Sequence, residues 1–216
     1  MAKKELRPRI IDILLTVLGA FLCGSGCGFM NYASLGMDAL GTFYDGLRML
    51  LGLSIDNIGT VSLIVNIVLI IFLFFASRKY LSIGTLIFMA GYSLFANLAT
   101  MLPEAIFTDP NIYIRATIGI TGILILCIGL GIYIAVDIGV DPPTGLILYV
   151  TDITHKKMQY VKITLDLIVM VAGILLGARI GAITVISVLI SGPLIAYFTK
   201  IFQKLYFRRL YTSSGK

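Results

Sequence analysis

The sequence has few charged residues. Aspartate, glutamate, lysine and arginine make up 13% of its 216 residues, whereas hydrophobic residues make up 58%. A soluble domain carries roughly a quarter charged residues, because it needs a polar shell around its core. This shortage excludes a soluble globular protein and indicates that a lipid bilayer surrounds most of the chain.

The groups that carry most enzyme and metal chemistry are also scarce. There is one histidine, and the three cysteines lie in apolar segments without forming a CxxC pair. The chain contains no Walker A loop, zinc motif or nucleophile elbow. We therefore expect no enzymatic activity, no cofactor and no metal. Cys23, Cys27 and Cys127 are interpreted as small buried hydrophobic side chains.

Six apolar runs are long enough to cross a hydrocarbon core about 30 Å thick. The first run follows the basic residues 1–9 and is too long for the apolar part of a cleavable signal peptide. Two further segments, 37–51 and 141–154, are short for a span and long for a loop, so we expect re-entrant or interfacial half-helices there. The predicted spans are Ile10–Met30, Ile58–Ala76, Leu81–Leu102, Ile112–Val136, Met158–Gly177 and Ile180–Phe202.

The basic residues predict the orientation of these spans. With six spans and a cytoplasmic N-terminus, only Arg48, Arg115 and Arg179 of the 17 lysines and arginines fall on or near the outer side. Cytoplasmic loops carry the excess of lysine and arginine in membrane proteins, so both termini are expected in the cytoplasm. Counting segments 37–51 and 141–154 as full spans would weaken this bias.

The net charge of +6 follows from this topology and does not indicate nucleic acid. The stretch Lys200–Arg209 combines basic and aromatic residues, which is typical of an anchor to anionic lipid. The expected partners are the bilayer and a small solute. A homo-oligomer and energising partner subunits both stay open.

The two halves of the chain resemble each other. Gly26-Cys-Gly28 precedes Gly36-Met-Asp38, and Gly129-Leu-Gly131 precedes Gly139-Val-Asp141 at the same spacing, with an offset of 103 residues. Each half holds three predicted spans, an odd number, so the second copy would be inserted upside down. Inverted repeats of this kind are typical of secondary transporters.

The predicted fold class is therefore an all-α membrane protein with six spans in two inverted three-helix repeats, each with an added short helix. The predicted parts are a cytoplasmic N-terminus at 1–9, a first repeat at 10–103, an external linker at 104–111, a second repeat at 112–203 and a cytoplasmic tail at 204–216.

A Gly-x-Asp turn opens each short segment. Glycine allows a tight turn, and the aspartates, Asp38 and Asp141, can cap the helix that follows. Two prolines begin the second segment, where their missing N–H groups would have no partner in any case. The aspartates either cap helices and do nothing more, or also line a substrate or ion path. The predicted turn residues are Gly36, Gly139, Pro142 and Pro143.

Ionisable residues inside a span are costly and often functional. Asp166 lies near the middle of Met158–Gly177, and Lys162 lies one turn earlier on the same face, so the two can form an ion pair. That pair either fixes helix packing or marks a coupling-ion or proton site. Asn66 occupies the corresponding depth in the related helix. The candidate path residues are Asp38, Asn66, Asp137, Asp141, Thr144, Lys162 and Asp166.

Two small-residue motifs allow helices to approach closely. They are Gly24-x-x-x-Gly28 and Gly173-x-x-x-Gly177, and we interpret both as internal packing sites rather than homodimer contacts.

The order of these motifs resembles the YczE/YyaS/YitT group of bacterial membrane proteins over nearly the whole chain. Relatives of the YczE type often carry Asn-Pro-Trp after the first glycine turn. This chain has Asp38-Ala39-Leu40 there, so no role of that tripeptide carries over. The resemblance implies a bacterial cytoplasmic-membrane protein of transporter type and names no substrate. It rests on Gly36-Met-Asp38, Leu53-Ser54, Ile58-Gly-Thr-Val61, Ser82-Ile-Gly-Thr85, Gly139-Val-Asp-Pro-Pro-Thr-Gly145 and Ser191-Gly-Pro-Leu194.

Three functions fit these features. The first is a secondary transporter of a small solute, working by alternating access between the two halves. The second is a substrate-binding membrane subunit that works with a separate ATPase. The third is a structural or regulatory membrane protein that transports nothing.

Overall fold

The computed structural model describes residues 10–107, 110–136, 138–156 and 158–213, without the side chains of residues 104, 158, 159 and 206–213. Within these ranges the chain forms eight α-helices. They are α1 Ile10–Ala33, α2 Ala39–Leu50, α3 Ile58–Ala76, α4 Ile83–Ile106, α5 Ile112–Val136, α6 Pro142–Thr154, α7 Met158–Leu175 and α8 Ala182–Ser213.

The helices begin where local capping groups allow them to. The bounds of α3 and α5 are those predicted from hydropathy. Helix α4 starts at Ile83 instead of Leu81, because the Ser82 hydroxyl accepts the N–H of Thr85 at 3.3 Å and forms a capping box. It continues through Pro103 to Ile106, beyond the predicted end of the span.

Five segments are long and apolar enough to cross a membrane. Helix α7, predicted as the sixth span, is not among them, and the side chains of its first two residues lie outside the described part of the chain. Length and composition therefore support five of the six predicted spans within the described residues. The five are Ile10–Ala33, Ile55–Ala76, Ile83–Pro103, Ile112–Val136 and Ala182–Leu205.

Helices α1 and α5 pack closely at the centre of the molecule through glycines. A Cβ atom added at Gly19 would lie 3.1 Å from the carbonyl oxygen of Gly129, and one added at Gly26 would lie 2.5 Å from that of Gly122. The contacts run in opposite directions along the two helices, so α1 and α5 are antiparallel. Only glycine lets two backbones approach this closely.

The two small-residue motifs predicted from the sequence differ in their packing. Gly24 and Gly28 of α1 contact Ala96 of α4, so the prediction of internal packing for that motif is confirmed. In the second motif Gly173 packs against Thr42 of α2, whereas no described atom lies within 4 Å of a Cβ added at Gly177. Gly177 instead has a φ of +96° just after the end of α7.

The core lies where α1, α4, α5 and α8 meet, and α2 and α3 cover one end of it. The rings of Phe88 and Tyr133 stack with centroids 4.1 Å apart. The three cysteines are buried and free, in agreement with their interpretation as small hydrophobic side chains.

Candidate functional site

The first Gly-x-Asp turn, Gly36–Asp38, contacts the start of α8. The backbone N–H of Met37 donates to the Thr184 hydroxyl at 3.1 Å. Gly36 has a φ of +100°, and a Cβ there would collide with Thr184 Oγ1 and with the backbone of Gly181. Glycine is required at this position both by the backbone conformation and by the close approach of α8.

The second turn, Gly139–Asp141, contacts the start of α4 in a similar way. The Thr85 hydroxyl donates to the carbonyl oxygen of Val140 at 2.6 Å. A Cβ on Gly139 would collide with the hydroxyl of Ser82, the residue that caps α4. Each turn therefore docks on the first turn of the last helix of the other half of the chain.

Both turn aspartates cap the short helices. Asp38 Oδ1 accepts the N–H of Gly41 at 3.3 Å at the start of α2, and Asp141 Oδ2 accepts the N–H of Thr144 at 3.1 Å at the start of α6. These bonds satisfy N–H groups that have no partner within the helix. The prediction of two capped short helices is confirmed, and Pro142 and Pro143 occupy the first two positions of α6.

The predicted ion pair forms on α7. Lys162 Nζ lies 2.8 Å from Asp166 Oδ2, and the two side chains are 53% and 31% exposed on the protein surface. Both charges act on the carboxyl group of Asp38, and the charge of Lys162 also acts on that of Asp141. Electrostatic interactions thus link Lys162 to both turn aspartates and link Asp166 to Asp38.

Asn66 stands apart from this set. It is buried in α3, and none of the described residues donates a hydrogen bond to its Oδ1 atom. A polar interior that Asn66 shares with Lys162 and Asp166 stays a prediction. The Thr144 backbone belongs to the cap of α6. The remaining candidate, Asp137, lies outside the described residues.

Sequence reasoning missed a buried ionic cluster, named here the Asp45 cluster. Asp45 of α2 is 1% exposed and lies 2.8 Å from Arg48 and 2.9 Å from Arg179, which follows α7. The same Arg179 side chain bonds Ser34 Oγ and, at 3.2 Å, Asn31 Oδ1 at the end of α1. Charged residues in so apolar a chain indicated that some of them would be paired. The pairing itself could not be predicted, because Arg179 lies 134 residues from Asp45 in the sequence.

A second ionic cluster lies at the opposite end of the bundle and is named the Asp152 cluster. The Asp152 carboxylate of α6 accepts hydrogen bonds from the Lys79 ammonium and from the Tyr80 hydroxyl, both in the turn before α4. The lysine and the aspartate are 54% and 50% exposed. The hydrogen bonds from Lys79 and Tyr80 hold the pKa of Asp152 below its ordinary value.

Two cavities on the molecule are apolar. A groove of about 410 Å³ lies along α7 beside Leu167 and Val171, and a second of about 210 Å³ lies beside Phe29 and Ile118. Neither is lined by a candidate path residue. In the described part of the chain, no group of three or more His, Cys, Asp or Glu side chains could hold a metal ion.

Comparison with known proteins places the chain among membrane proteins. A model of DUF6198, a family of unknown function, matches residues 10–200. The chain belongs to this family. No solved structure matches it.

Two relatives of this DUF6198 member are similar along most of their length. An uncharacterized protein of Haemophilus influenzae is 24% identical over 200 residues, which cover 91% of this chain and 86% of the relative. The uncharacterized membrane protein YczE of Bacillus subtilis is 23% identical over 164 residues, which cover 76% and 74%. The resemblance to the YczE group is confirmed.

Proposed function

We propose that this DUF6198 member is a secondary transporter of a small solute that works by alternating access between two oppositely inserted halves. The observation that carries the proposal is the exchanged docking of the two turns. Gly36–Asp38 contacts Thr184 in the first turn of α8, and Gly139–Asp141 contacts Thr85 in the first turn of α4. Such an interface between repeats is where transporters bind substrate.

The central helices support the same proposal. The contacts of Gly19 with Gly129 and of Gly26 with Gly122 join positions that the 103-residue offset exchanges. Cys23 and Leu126 are themselves separated by 103 residues and bond to each other, the thiol donating to the carbonyl oxygen. Antiparallel pairing of equivalent residues is what two inverted copies would produce about a pseudo-two-fold axis.

The proposal counts α7 as the sixth span. Its 18 residues would rise about 27 Å, close to the thickness of the hydrocarbon core. The i, i+4 pair of Lys162 and Asp166 lowers the cost of placing both charges in the membrane. Six spans put both termini on one side, and the basic residues identify that side as the cytoplasm of a bacterial cell.

In this proposal the solute or coupling-ion path passes the charged residues at the ends of the two turns. The charge of Lys162 acts on both Asp38 and Asp141, so movement of either short helix would change the field at Lys162. Charges retained inside a bilayer often mark substrate and ion paths.

A non-transporting membrane protein is the second candidate. It is favoured by the two apolar cavities, neither of which is lined by the candidate path residues.

Flux into proteoliposomes tests the choice. The panel would hold labelled amino acids, carboxylates, sugars and monovalent cations, with an internal pH dye to detect proton coupling. We expect uptake of at least one solute class, and its loss in Asp141→Asn and Asp166→Asn. Asp56→Asn, in the loop between α2 and α3, is the matched control and should transport normally. Uptake of no solute by the wild-type protein would contradict the proposal.

A further inference from the structure

We propose that the Asp45 cluster and the Asp152 cluster are the two gates of the transporter, one at each end, and that the Asp45 gate is the stronger. This inference rests on the proposed function. Each cluster joins the short helix of one half to the segment just before the last helix of the other half. Each therefore holds together the two parts that must separate when that end opens.

The Asp45 gate is closed by charge-assisted bonds to a buried carboxylate. Asp45 Oδ2 accepts from the backbone N–H and the Nε of Arg179 at 3.0 and 3.1 Å, and Asp45 Oδ1 accepts from both arginines. Arg48 also donates to the carbonyl oxygen of Leu53 at 2.7 Å. Opening this end would break the three bonds from Arg179 and leave Asp45 with Arg48 of its own helix, which is unfavourable because the carboxylate is buried.

The Asp152 gate is closed by weaker contacts. The Lys79–Asp152 pair is half exposed, so water and salt screen it. The hydroxyl of Tyr80 also lies 3.4 Å from the carbonyl oxygen of Leu148, a long hydrogen bond. Water can replace each of these contacts at little cost when this end opens.

The two gates occupy related positions. Asp45 and Leu148 differ by the 103 residues that relate Gly36 to Gly139. Arg179 lies five residues before Thr184, and Tyr80 lies five residues before Thr85. The two halves therefore meet through equivalent positions at each end. At one end Arg179 binds the carboxylate of Asp45, and at the other the Tyr80 hydroxyl donates to the backbone carbonyl of Leu148.

The packing of α2 allows it to move once the Asp45 gate opens. At the crossing of α2 and α7, Gly46 lies against the backbone of Gly173, and Gly173 lies against the backbone of Thr42. Because glycine has no side chain, nothing interlocks the two helices at this crossing, and one helix can slide over the other. A purely structural ion pair would not need a crossing of this kind beside it.

Amide hydrogen exchange of the full protein in lipid nanodiscs tests this inference without a known solute. In Asp45→Asn we expect residues 39–50 to exchange about tenfold faster, because the buried bonds are lost. Alternating access closes one end as the other opens, so residues 142–154 should exchange more slowly than in the wild-type protein. Asp152→Asn should give the opposite pattern with a smaller change, and Asp56→Asn should change neither segment.

The slower exchange at the far end separates a gate from a structural brace. Faster exchange of residues 39–50 with no protection of residues 142–154 would overturn the inference. Arg179→Lys keeps the charge but loses the forked contacts, and it serves if Asp45→Asn fails to fold. Arg179→Lys should also speed exchange of residues 39–50 and slow exchange of residues 142–154, with smaller changes. If residues 142–154 are not protected in this variant either, the gate inference is wrong. If the wild-type protein transports no solute, the proposed transport function is wrong. If it transports a solute but the variants show no reciprocal change in amide hydrogen exchange, the gate inference alone is wrong.

Discussion

The two short helices, α2 and α6, are placed alike but held differently. Both begin at a Gly-x-Asp turn, are capped by its aspartate and rest on a threonine of the opposite half. Farther along, α2 is tied down by the buried Asp45 cluster, whereas α6 is tied down by the half-exposed Asp152 cluster. The two turns make equivalent contacts because they occupy equivalent positions in the two halves. The strength with which each short helix is attached depends on the charged side chains of its own cluster.

Substitution of Asp45 should give the largest effect. Asp45→Ala leaves the buried Arg48 and the partly buried Arg179 without their carboxylate, so we expect the free energy of unfolding to fall by about 3–5 kcal/mol. Asp152→Ala should leave it nearly unchanged, because water solvates Lys79 when its partner is removed. Titration with SDS in mixed micelles measures both values. Equal losses for the two variants would contradict the difference between the ends.

Substitution of the turn glycines should give the next largest effect. Gly36→Ala combines a φ of +100° with a collision against α8, so we expect a loss of about 2–4 kcal/mol. Gly139→Ala adds only a collision, with the movable Ser82 side chain nearest, and should cost less. Thermal unfolding in detergent ranks the variants.

Two other glycines serve as controls for this comparison. No described atom lies within 4 Å of a Cβ added at Gly52 or Gly192, and Gly52 has a φ of +66°. Gly52→Ala therefore isolates the backbone strain, and Gly192→Ala, inside α8, should be neutral or slightly stabilising. If Gly36→Ala matches Gly52→Ala, the close contact with α8 contributes nothing.

The smallest effect concerns pH at the Asp152 cluster. Hydrogen bonds from Lys79 and Tyr80 lower the pKa of Asp152 in the folded protein. Such a carboxylate stabilises the fold above its unfolded pKa of about 3.9 and loses that contribution as the pH falls through the lower, folded pKa. The stability difference between the wild-type protein and Asp152→Asn should therefore shrink below about pH 3.9 and stay constant above pH 6. A difference that grows with acidification would contradict this assignment.

Hydropathy and local motifs predicted much of the fold. Helices α3 and α5 have the predicted bounds, because long apolar runs with no internal breaker leave few alternatives. The Gly-x-Asp turns predicted the starts of α2 and α6, since an aspartate cap acts within three residues of its own position. Helix α7 ends at Leu175 instead of Gly177, because the backbone after it turns at Gly177, which has a φ of +96°.

The candidate site was predicted in part. The Lys162–Asp166 pair is local, one helical turn apart, and spacing was enough to find it. The Asp45 cluster joins the end of α1, helix α2 and the segment after α7, so no local pattern contains it. Asn66 shows the same limit. Its position along the sequence predicted its depth in the membrane, but not that its Oδ1 atom accepts no hydrogen bond from a described residue.

By itself the sequence determined that the chain enters a membrane, where its long helices lie and which residues cap the short ones. Apolar runs and caps act through the bilayer and through neighbours within a turn of helix, so they need no fold to be recognised. Only the tertiary structure decided that each Gly-x-Asp turn rests on the opposite half and that Asp45 meets Arg179. Those contacts depend on the antiparallel approach of α1 and α5, which lets residues 55 to 147 positions apart meet.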